Sequence, residues 1–232
     1  MKWKIFLLIA VIDTAVYFNS FHNSFHFDDQ HFIVENTYIR DIRNIPYVFF
    51  SPEHSSFEKV FTSHYRPLLV TSYAINYAIG GLRPAGYHAV NLLFHIVSAF
   101  LLYLIISAML GGGVALSAAL IFAVHPFNSE VVNYITARSS VMCAFFYLLS
   151  FYFWIRFRSQ NKSNLLLLTS HFYLTSLLAF ILAMLTKEIA ITLPFMLFLY
   201  DFYFYKQPGG RKNSSSCYLL PATCYLPYLP YV

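Results

Sequence analysis

Two adjacent carboxylates and several basic side chains form short clusters that could support acid–base and phosphate chemistry. Asp28 and Asp29 follow the first apolar segment, where either carboxylate could act as the general base of a membrane enzyme. Paired acids also occur in solvated turns and helix caps, and their adjacency alone does not separate these uses. His64 and Arg66 combine a titratable imidazole with a guanidinium that can bind phosphate in bidentate fashion, although the same pair would suit an interfacial belt.

Two further clusters also follow apolar segments. His125, Glu130 and Arg138 lie close together after one such segment. A histidine and a glutamate near a helix end are compatible with metal ligation, but their spacing matches no HExxH-type motif, so the sequence predicts no metal site. Lys187 and Glu188 separate two apolar segments, where an ion pair could be a plain helix-turn anchor or a functional group at membrane depth.

These clusters interrupt a strongly apolar chain. Of its 232 residues, 58% are hydrophobic and only 11% are charged, whereas soluble proteins average roughly 25% charged residues. A soluble protein of this composition would expose far too much apolar surface, so the sequence predicts a protein embedded in a lipid bilayer. The net charge of +5 does not indicate a nucleic-acid partner, because no basic cluster is longer than the Arg211-Lys212 pair.

Apolar segments of helical length define the predicted architecture. A bilayer core about 30 Å thick requires roughly 20 apolar helical residues. The candidate segments are residues 5–17, 89–110, 114–124, 139–155, 165–185 and 189–205. They predict an all-α, polytopic membrane helix bundle of about six transmembrane helices, with a kink at Pro194 in the sixth. The first segment could instead be a cleaved signal peptide, but no small-x-small cleavage site follows it.

The basic residues predict how these segments thread the membrane. With the N-terminus inside, Lys2, Lys4, Arg156 and Arg158 lie on the cytoplasmic side, as the positive-inside rule requires. The outer side then receives a loop of residues 19–88, the segment 125–138 and the turn at 187–188. All the clusters that could support chemistry therefore face one side of the membrane. This favours an enzyme over a transporter, which would have ionisable groups at the bilayer midplane.

Polar residues within the predicted spans have no assigned chemistry. Asp13 interrupts the first span, and Asp201 lies near the inner end of the sixth. Asn91 and His95 lie one helical turn apart in the second span and are expected to face a common side, where helix packing explains them as well as function does.

Several motifs in order resemble a known family. They are Phe27-Asp28-Asp29, Ile33-Val34-Glu35-Asn36, Tyr65-Arg66-Pro67-Leu68, Gly86-Tyr87-His88-Ala89-Val90-Asn91 with His95, Phe122-Ala123-Val124-His125-Pro126 with Glu130, and Thr186-Lys187-Glu188. Over roughly residues 20–205 the chain resembles the transmembrane, tetratricopeptide-repeat O-mannosyltransferase family and its bacterial relatives. The order of the motifs is more specific than any one of them.

The resemblance implies a GT-C-type glycosyltransferase that needs no cofactor. Such an enzyme transfers a sugar, here expected to be mannose, from a polyprenyl-phosphate carrier to a hydroxyl of a protein acceptor on the outer or luminal face. The membrane would be that of the endoplasmic reticulum in a eukaryote or the inner membrane in a bacterium. The implied catalytic base is Asp28 or Asp29. The implied substrate-binding residues are His64, Arg66, His125, Glu130, Arg138, Lys187 and Glu188.

The C-terminal part departs from the family pattern. Family members continue into tetratricopeptide repeats, whereas this sequence shows no 34-residue repeat, and residues 207–232 predict an irregular tail. We therefore expect a membrane-embedded, glycosyltransferase-like domain at residues 1–206. The alternative is a non-catalytic, truncated membrane fragment or scaffold.

Overall fold

The computed structural model describes residues 2–50, 65–159 and 166–204, with the side chains of 166–170 excepted. The α-helices are α1 (Lys2–Tyr17), α2 (Ile45–Phe50), α3 (Pro67–Gly80), α4 (Pro84–Leu110), α5 (Gly112–Val124), α6 (Ser129–Asn133), α7 (Arg138–Arg158), α8 (Leu166–Met184) and α9 (Leu193–Tyr203). Short 3-10 and π-helical turns join them, and the described ranges contain no strand. The all-α prediction is confirmed. The predicted tail at 207–232 lies outside the described residues.

Each of the predicted spans coincides with a helix. Three helical segments, residues 2–22, 84–110 and 135–158, are long and apolar enough to cross a membrane. Helix α5 and the segment Pro126–Asn133 make a fourth when the pair is counted as one span bent by 49°. Helices α8 and α9 supply the fifth and sixth predicted positions, with a shorter apolar part at His171–Met184 in α8. The chain is an integral membrane protein.

The structure corrects two expectations about local geometry. Pro194 does not kink the sixth helix, because Glu188–Thr192 forms a separate 3-10 turn and Pro194 lies in the first turn of α9, where its missing N–H is not needed. The predicted outer loop also contains helices α2 and α3. Helix α3 buries Leu69, Val70 and Tyr73, although at 14 residues it is too short to be recognised as a span.

Helix α4 is the central element and packs against α1, α5 and α7. It ends at Leu110 and is followed by Gly111, whose φ of 97° lies in the left-handed region that favours glycine, and α5 begins at Gly112. Along α5, Ala115, Ala119 and Ala123 are completely buried at successive helical turns. Small side chains at this spacing allow two helix backbones to approach closely within lipid.

A buried acid–imidazole pair joins α1 to α4. The Asp13 Oδ2 atom lies 3.0 Å from His95 Nδ1, and both residues are at most 1% exposed. The rings of Tyr17 and Phe122 enclose the His95 ring, with centroids 5.5 and 5.2 Å away. Asp13 is compatible with a membrane helix because His95 from another helix pairs with its Oδ2 atom, although Asp13 Oδ1 and His95 Nε2 are buried without a hydrogen-bond partner among the described residues.

A second polar contact joins the C-terminal ends of α7 and α9. Asp201 Oδ1 accepts hydrogen bonds from Trp154 Nε1 at 3.2 Å and Arg158 Nε at 3.1 Å. Asp201 has no assigned chemistry from the sequence, and its contacts connect two helices. We therefore interpret it as a packing residue.

Two serines form reciprocal hydrogen bonds between α7 and α8. Ser150 Oγ donates to the Ser176 carbonyl at 2.7 Å, and Ser176 Oγ donates to the Ser150 carbonyl at 2.9 Å. We expect the double variant Ser150→Ala/Ser176→Ala to lower the free energy of unfolding by about 1 kcal/mol, because lipid offers no replacement partner. Thermal unfolding in detergent measures this loss.

The matched control is Thr175→Ala, because the Thr175 hydroxyl bonds within its own helix to the His171 carbonyl at 2.7 Å. This variant should leave the unfolding temperature almost unchanged. An equal effect of the two changes would contradict a specific contribution from the α7–α8 hydrogen bonds.

Candidate functional site

A cavity of about 380 Å³ opens at one end of the bundle. Its wall includes Asp28, Arg66, Glu130 and Lys187, all of which are site candidates from the sequence, together with His31. The remaining polar part of the wall consists of Tyr134, Thr136, Ser139 and Ser140. Two carboxylates, two basic side chains and an imidazole therefore share one cavity, although they come from four distant parts of the chain.

Contacts between helix ends assemble this cavity. The Leu68 N–H, at the start of α3, donates to the Leu185 carbonyl just after α8 at 3.3 Å. The Tyr17 hydroxyl at the end of α1 lies 3.4 Å from the His125 carbonyl just after α5. These helix ends lie at the end of the bundle that the topology prediction assigns to the outer side.

The two adjacent carboxylates have different surroundings. Asp29 is 1% exposed, and its Oδ1 accepts hydrogen bonds from the Thr136 N–H at 2.8 Å and from the Thr136 hydroxyl. Its Oδ2 accepts a third hydrogen bond from the His26 N–H at 3.0 Å. Asp28 is exposed and lines the cavity. Of the two carboxylates, Asp28 is therefore the one that is open to the cavity, whereas Asp29 fixes the loop to the segment before α7.

Arg66 and Lys187 supply positive charge on another part of the wall. Arg66 Nη2 forms an ion pair with Glu188, at 3.0 and 3.3 Å from its two carboxylate oxygens. Lys187 Nζ donates to the neutral Ser140 hydroxyl at 2.9 Å. Ser140 lies in the first turn of α7, which continues directly from the 3-10 turn Ile135–Ala137. Two basic side chains on this part of the wall are suited to an anion.

Arg138 is placed in the interior and not in the cavity wall. Its side chain is completely buried and lies over the rings of Tyr73 and Tyr87, at 4.8 and 5.5 Å from their centroids. The guanidinium donates to Asn91 Oδ1 at 2.7 Å, to the Tyr87 carbonyl at 2.9 Å and to Ser72 Oγ at 3.2 Å. Arg138 therefore connects α3, α4 and α7 beneath the cavity.

Asn91 extends the Arg138 network towards the cavity wall. Its Nδ2 lies 3.1 to 3.3 Å from the carbonyls of Val131, Tyr134 and Ile135. Asn91 and His95 do lie on buried surfaces of α4, as their spacing predicts, but they contact different elements. Asn91 holds the segment after α6, whereas His95 contacts α1.

Two other candidates lie away from the cavity wall or outside the described residues. His125 is exposed, and its Nδ1 accepts a hydrogen bond from the Phe127 N–H at 3.2 Å, which caps the short turn Pro126–Asn128. His64 lies outside the described residues. Within the described ranges, no group of three or more histidine, cysteine, aspartate or glutamate side chains is arranged to hold a metal ion.

Five polar residues of the wall were not singled out from the sequence. They lie in short helical turns, just outside them or at a helix start, and no motif distinguishes them locally: His31, Tyr134, Thr136, Ser139 and Ser140. Tyr134 has a distinct property because burial, together with the nearby Asp28 and Asp29 carboxylates, raises its pKa to about 12. Its hydroxyl is protonated at neutral pH, as in any tyrosine, and can donate a hydrogen bond in the cavity.

Comparisons with known proteins agree with this description. A sequence model of the dolichyl-phosphate-mannose-protein mannosyltransferases matches residues 67–230. Human protein O-mannosyl-transferase TMTC4 is 33% identical over 205 residues, which cover 80% of this chain and 27% of the relative. Protein O-mannosyl-transferase Tmtc1 of Drosophila melanogaster is 32% identical over 212 residues, which cover 86% of this chain and 22% of the relative.

The chain thus spans about a quarter of the length of these relatives. No solved structure matches it significantly. The family model covers most of the chain, and the relatives extend the similarity over most of the remainder. The chain therefore belongs to the dolichyl-phosphate-mannose-protein mannosyltransferase family, with the transmembrane, tetratricopeptide-repeat O-mannosyltransferases as relatives.

Proposed function

We propose that this chain carries the active site of a membrane glycosyltransferase, which transfers mannose from a polyprenyl-phosphate carrier to a hydroxyl of a protein acceptor. The observation that carries the proposal is one cavity lined by the Asp28 carboxylate and by the cations Arg66 and Lys187. The names of the relatives support mannose as the sugar and a protein as the acceptor. The reaction takes place at the outer or luminal face, in the endoplasmic reticulum membrane of a eukaryote or the inner membrane of a bacterium.

In this proposal Asp28 is the general base. The acceptor hydroxyl oxygen bonds to the anomeric carbon of the sugar while the Asp28 carboxylate takes the hydroxyl proton. The bond between the anomeric carbon and the carrier phosphate breaks, and the phosphate leaves with its electron pair. A carboxylate suits this role because it is ionised at neutral pH and accepts the proton only as the hydroxyl becomes acidic in the transition state.

Arg66 and Lys187 bind the phosphate of the carrier. The negative charge on this phosphate increases as it leaves, so fixed cations stabilise the transition state more than the ground state. Glu188 holds the Arg66 guanidinium at the cavity before the donor binds. Ser140 and the first turn of α7 orient the Lys187 ammonium. Glu130 lines the same wall, and in this proposal it orients the substrates.

The buried members of the predicted site act through other residues. Asp29 fixes the loop that presents Asp28, and Arg138 fixes the helices beneath the cavity. His125 caps a turn outside the cavity wall, so we assign it a structural role. His64 remains a candidate for substrate binding because it precedes Arg66 by two residues in the chain.

The variant Lys187→Ala tests the phosphate contact. We expect it to weaken the binding of dolichyl-phosphate mannose about ten- to a hundredfold, because a charge-assisted hydrogen bond contributes about 1.5–3 kcal/mol. Binding to the purified full chain in nanodiscs can be measured by competition with a fluorescent polyprenyl phosphate.

The control is Lys4→Ala, an exposed lysine near the start of α1, and it should leave the donor affinity unchanged. Unlabelled mannose 1-phosphate provides a second ligand that carries the charge without the lipid. Equal donor affinity in the Lys187→Ala variant and the unaltered chain would exclude Lys187 from the phosphate site.

A further inference from the structure

Tyr134 lies on a rigid part of the cavity wall. Its N–H donates to the Glu130 carbonyl at 2.9 Å, and its own carbonyl accepts from Ala137 N at 3.2 Å and Asn91 Nδ2 at 3.3 Å. Asn91 is in turn held by the buried Arg138 guanidinium. The Tyr134 backbone is therefore fixed to the central helix α4 through side chains that have no access to solvent.

The Tyr134 side chain extends from this frame to the loop that carries Asp28. Its hydroxyl oxygen accepts a hydrogen bond from the Asp28 N–H at 3.2 Å. Its ring meets the edge of the Phe27 ring at 88°, with centroids 6.4 Å apart. Among the described residues, Phe27 is the one non-glycine residue with a positive φ, at 48°. A phenylalanine rarely adopts this conformation, so outside contacts must maintain it.

The Asp28 carboxylate lies near the same hydroxyl. Both side chains line the cavity, and the negative charge of Asp28 adds to the effect of burial in raising the pKa of Tyr134. The hydrogen bond from the Asp28 N–H to the phenol oxygen therefore fixes the backbone from which this carboxylate extends.

We propose that Tyr134 is a positioning residue that holds the backbone of Asp28, and with it the catalytic carboxylate, at the cavity through its hydroxyl and holds the Phe27 conformation through its ring. The inference rests on the proposed role of Asp28 as the general base. It assigns to the segment between α6 and α7 a direct part in transfer, through a residue that no motif identifies.

The variant Tyr134→Phe removes the hydroxyl and keeps the ring against Phe27. Two measurements on the purified full chain follow. First, hydrogen–deuterium exchange at the Asp28 amide should become at least tenfold faster, because this amide loses its acceptor. Second, kcat for mannose transfer from dolichyl-phosphate mannose to a serine- and threonine-rich peptide library should fall about ten- to a hundredfold. The KM for the donor should change less than twofold.

The control Tyr47→Phe removes the hydroxyl of an exposed tyrosine on α2 and should change none of these quantities. Unchanged amide exchange in Tyr134→Phe would overturn the proposal without any activity measurement. A fall in kcat accompanied by a comparable rise in the donor KM would also overturn the proposal, since general damage to the cavity affects both quantities. If Asp28→Asn abolishes transfer while Tyr134→Phe leaves kcat intact, the positioning role fails and the proposed function stands.

Discussion

Replacing Asp28 by asparagine is expected to lower the rate of mannose transfer about 10²- to 10⁴-fold, the range that general base catalysis commonly contributes. Asparagine preserves the size of the side chain and the backbone hydrogen bond to Tyr134, but it cannot accept the proton of the acceptor hydroxyl. The measurement is transfer of radiolabelled mannose from dolichyl-phosphate mannose to a serine- and threonine-rich peptide library by the purified full chain. Donor affinity should be almost unchanged, because the cations bind the phosphate.

Two other aspartates provide controls for this experiment. Asp41 lies outside the cavity wall and bonds to Arg43, whose hydrogen bonds lower the pKa of Asp41 to about 2. Asp41→Asn should keep full transfer activity. Asp29→Asn should lower thermal stability as well as transfer, since the buried Asp29 carboxylate accepts three hydrogen bonds. Undiminished transfer by Asp28→Asn would exclude Asp28 as the base, and no transfer by the unaltered chain would contradict the proposed function.

Replacing Arg138 by alanine should produce the largest loss of stability, about 3 kcal/mol or more. The change leaves Asn91 Oδ1 and the Tyr87 carbonyl without their donor and opens a cavity between the rings of Tyr73 and Tyr87. The substitution also removes the cost of burying the charged guanidinium, which offsets part of this loss. The lost packing and hydrogen bonds are larger, because they join three helices at one point. Thermal unfolding in detergent, followed by size-exclusion chromatography, measures the effect.

Arg83→Ala is the matched control, because Arg83 is exposed just before α4 and should be replaceable without loss of stability. Arg138→Lys is also expected to be destabilised, since an ammonium cannot reach several acceptors in the planar arrangement of a guanidinium. If Arg138→Ala unfolds at the same temperature as Arg83→Ala, the buried network contributes nothing to stability.

The sequence was sufficient to predict the membrane helices and much of the cavity wall. Apolar length locates a helix that lipid surrounds, and the placement of basic residues orients the helices, so Asp28, Arg66, Glu130 and Lys187 could be assigned to one side before their contacts were known. Helix α3 escaped recognition because its apolar run is shorter than a span and resembles an ordinary loop segment.

Roles that depend on distant partners could not be predicted. Asp28 and Asp29 are chemically equivalent in the sequence, and only the turn at Phe27 and the donors of Thr136 distinguish the exposed carboxylate from the buried one. From the sequence, Arg138 resembles a cation at a membrane surface. In the structure, Asn91 and two tyrosine rings surround its guanidinium. In each case the contact that determines the role joins residues that are far apart in the chain, so local sequence patterns do not predict it.

The pairing of Asp13 with His95 constrains the order of events during biosynthesis. The two residues are 82 positions apart, so α1 leaves the ribosome well before its partner in α4 exists. An unpaired aspartate at the centre of a helix opposes insertion by about 2.5–3.5 kcal/mol on translocon-based scales. We therefore expect α1 to wait beside the translocon until α4 arrives, so that the two helices enter the lipid together.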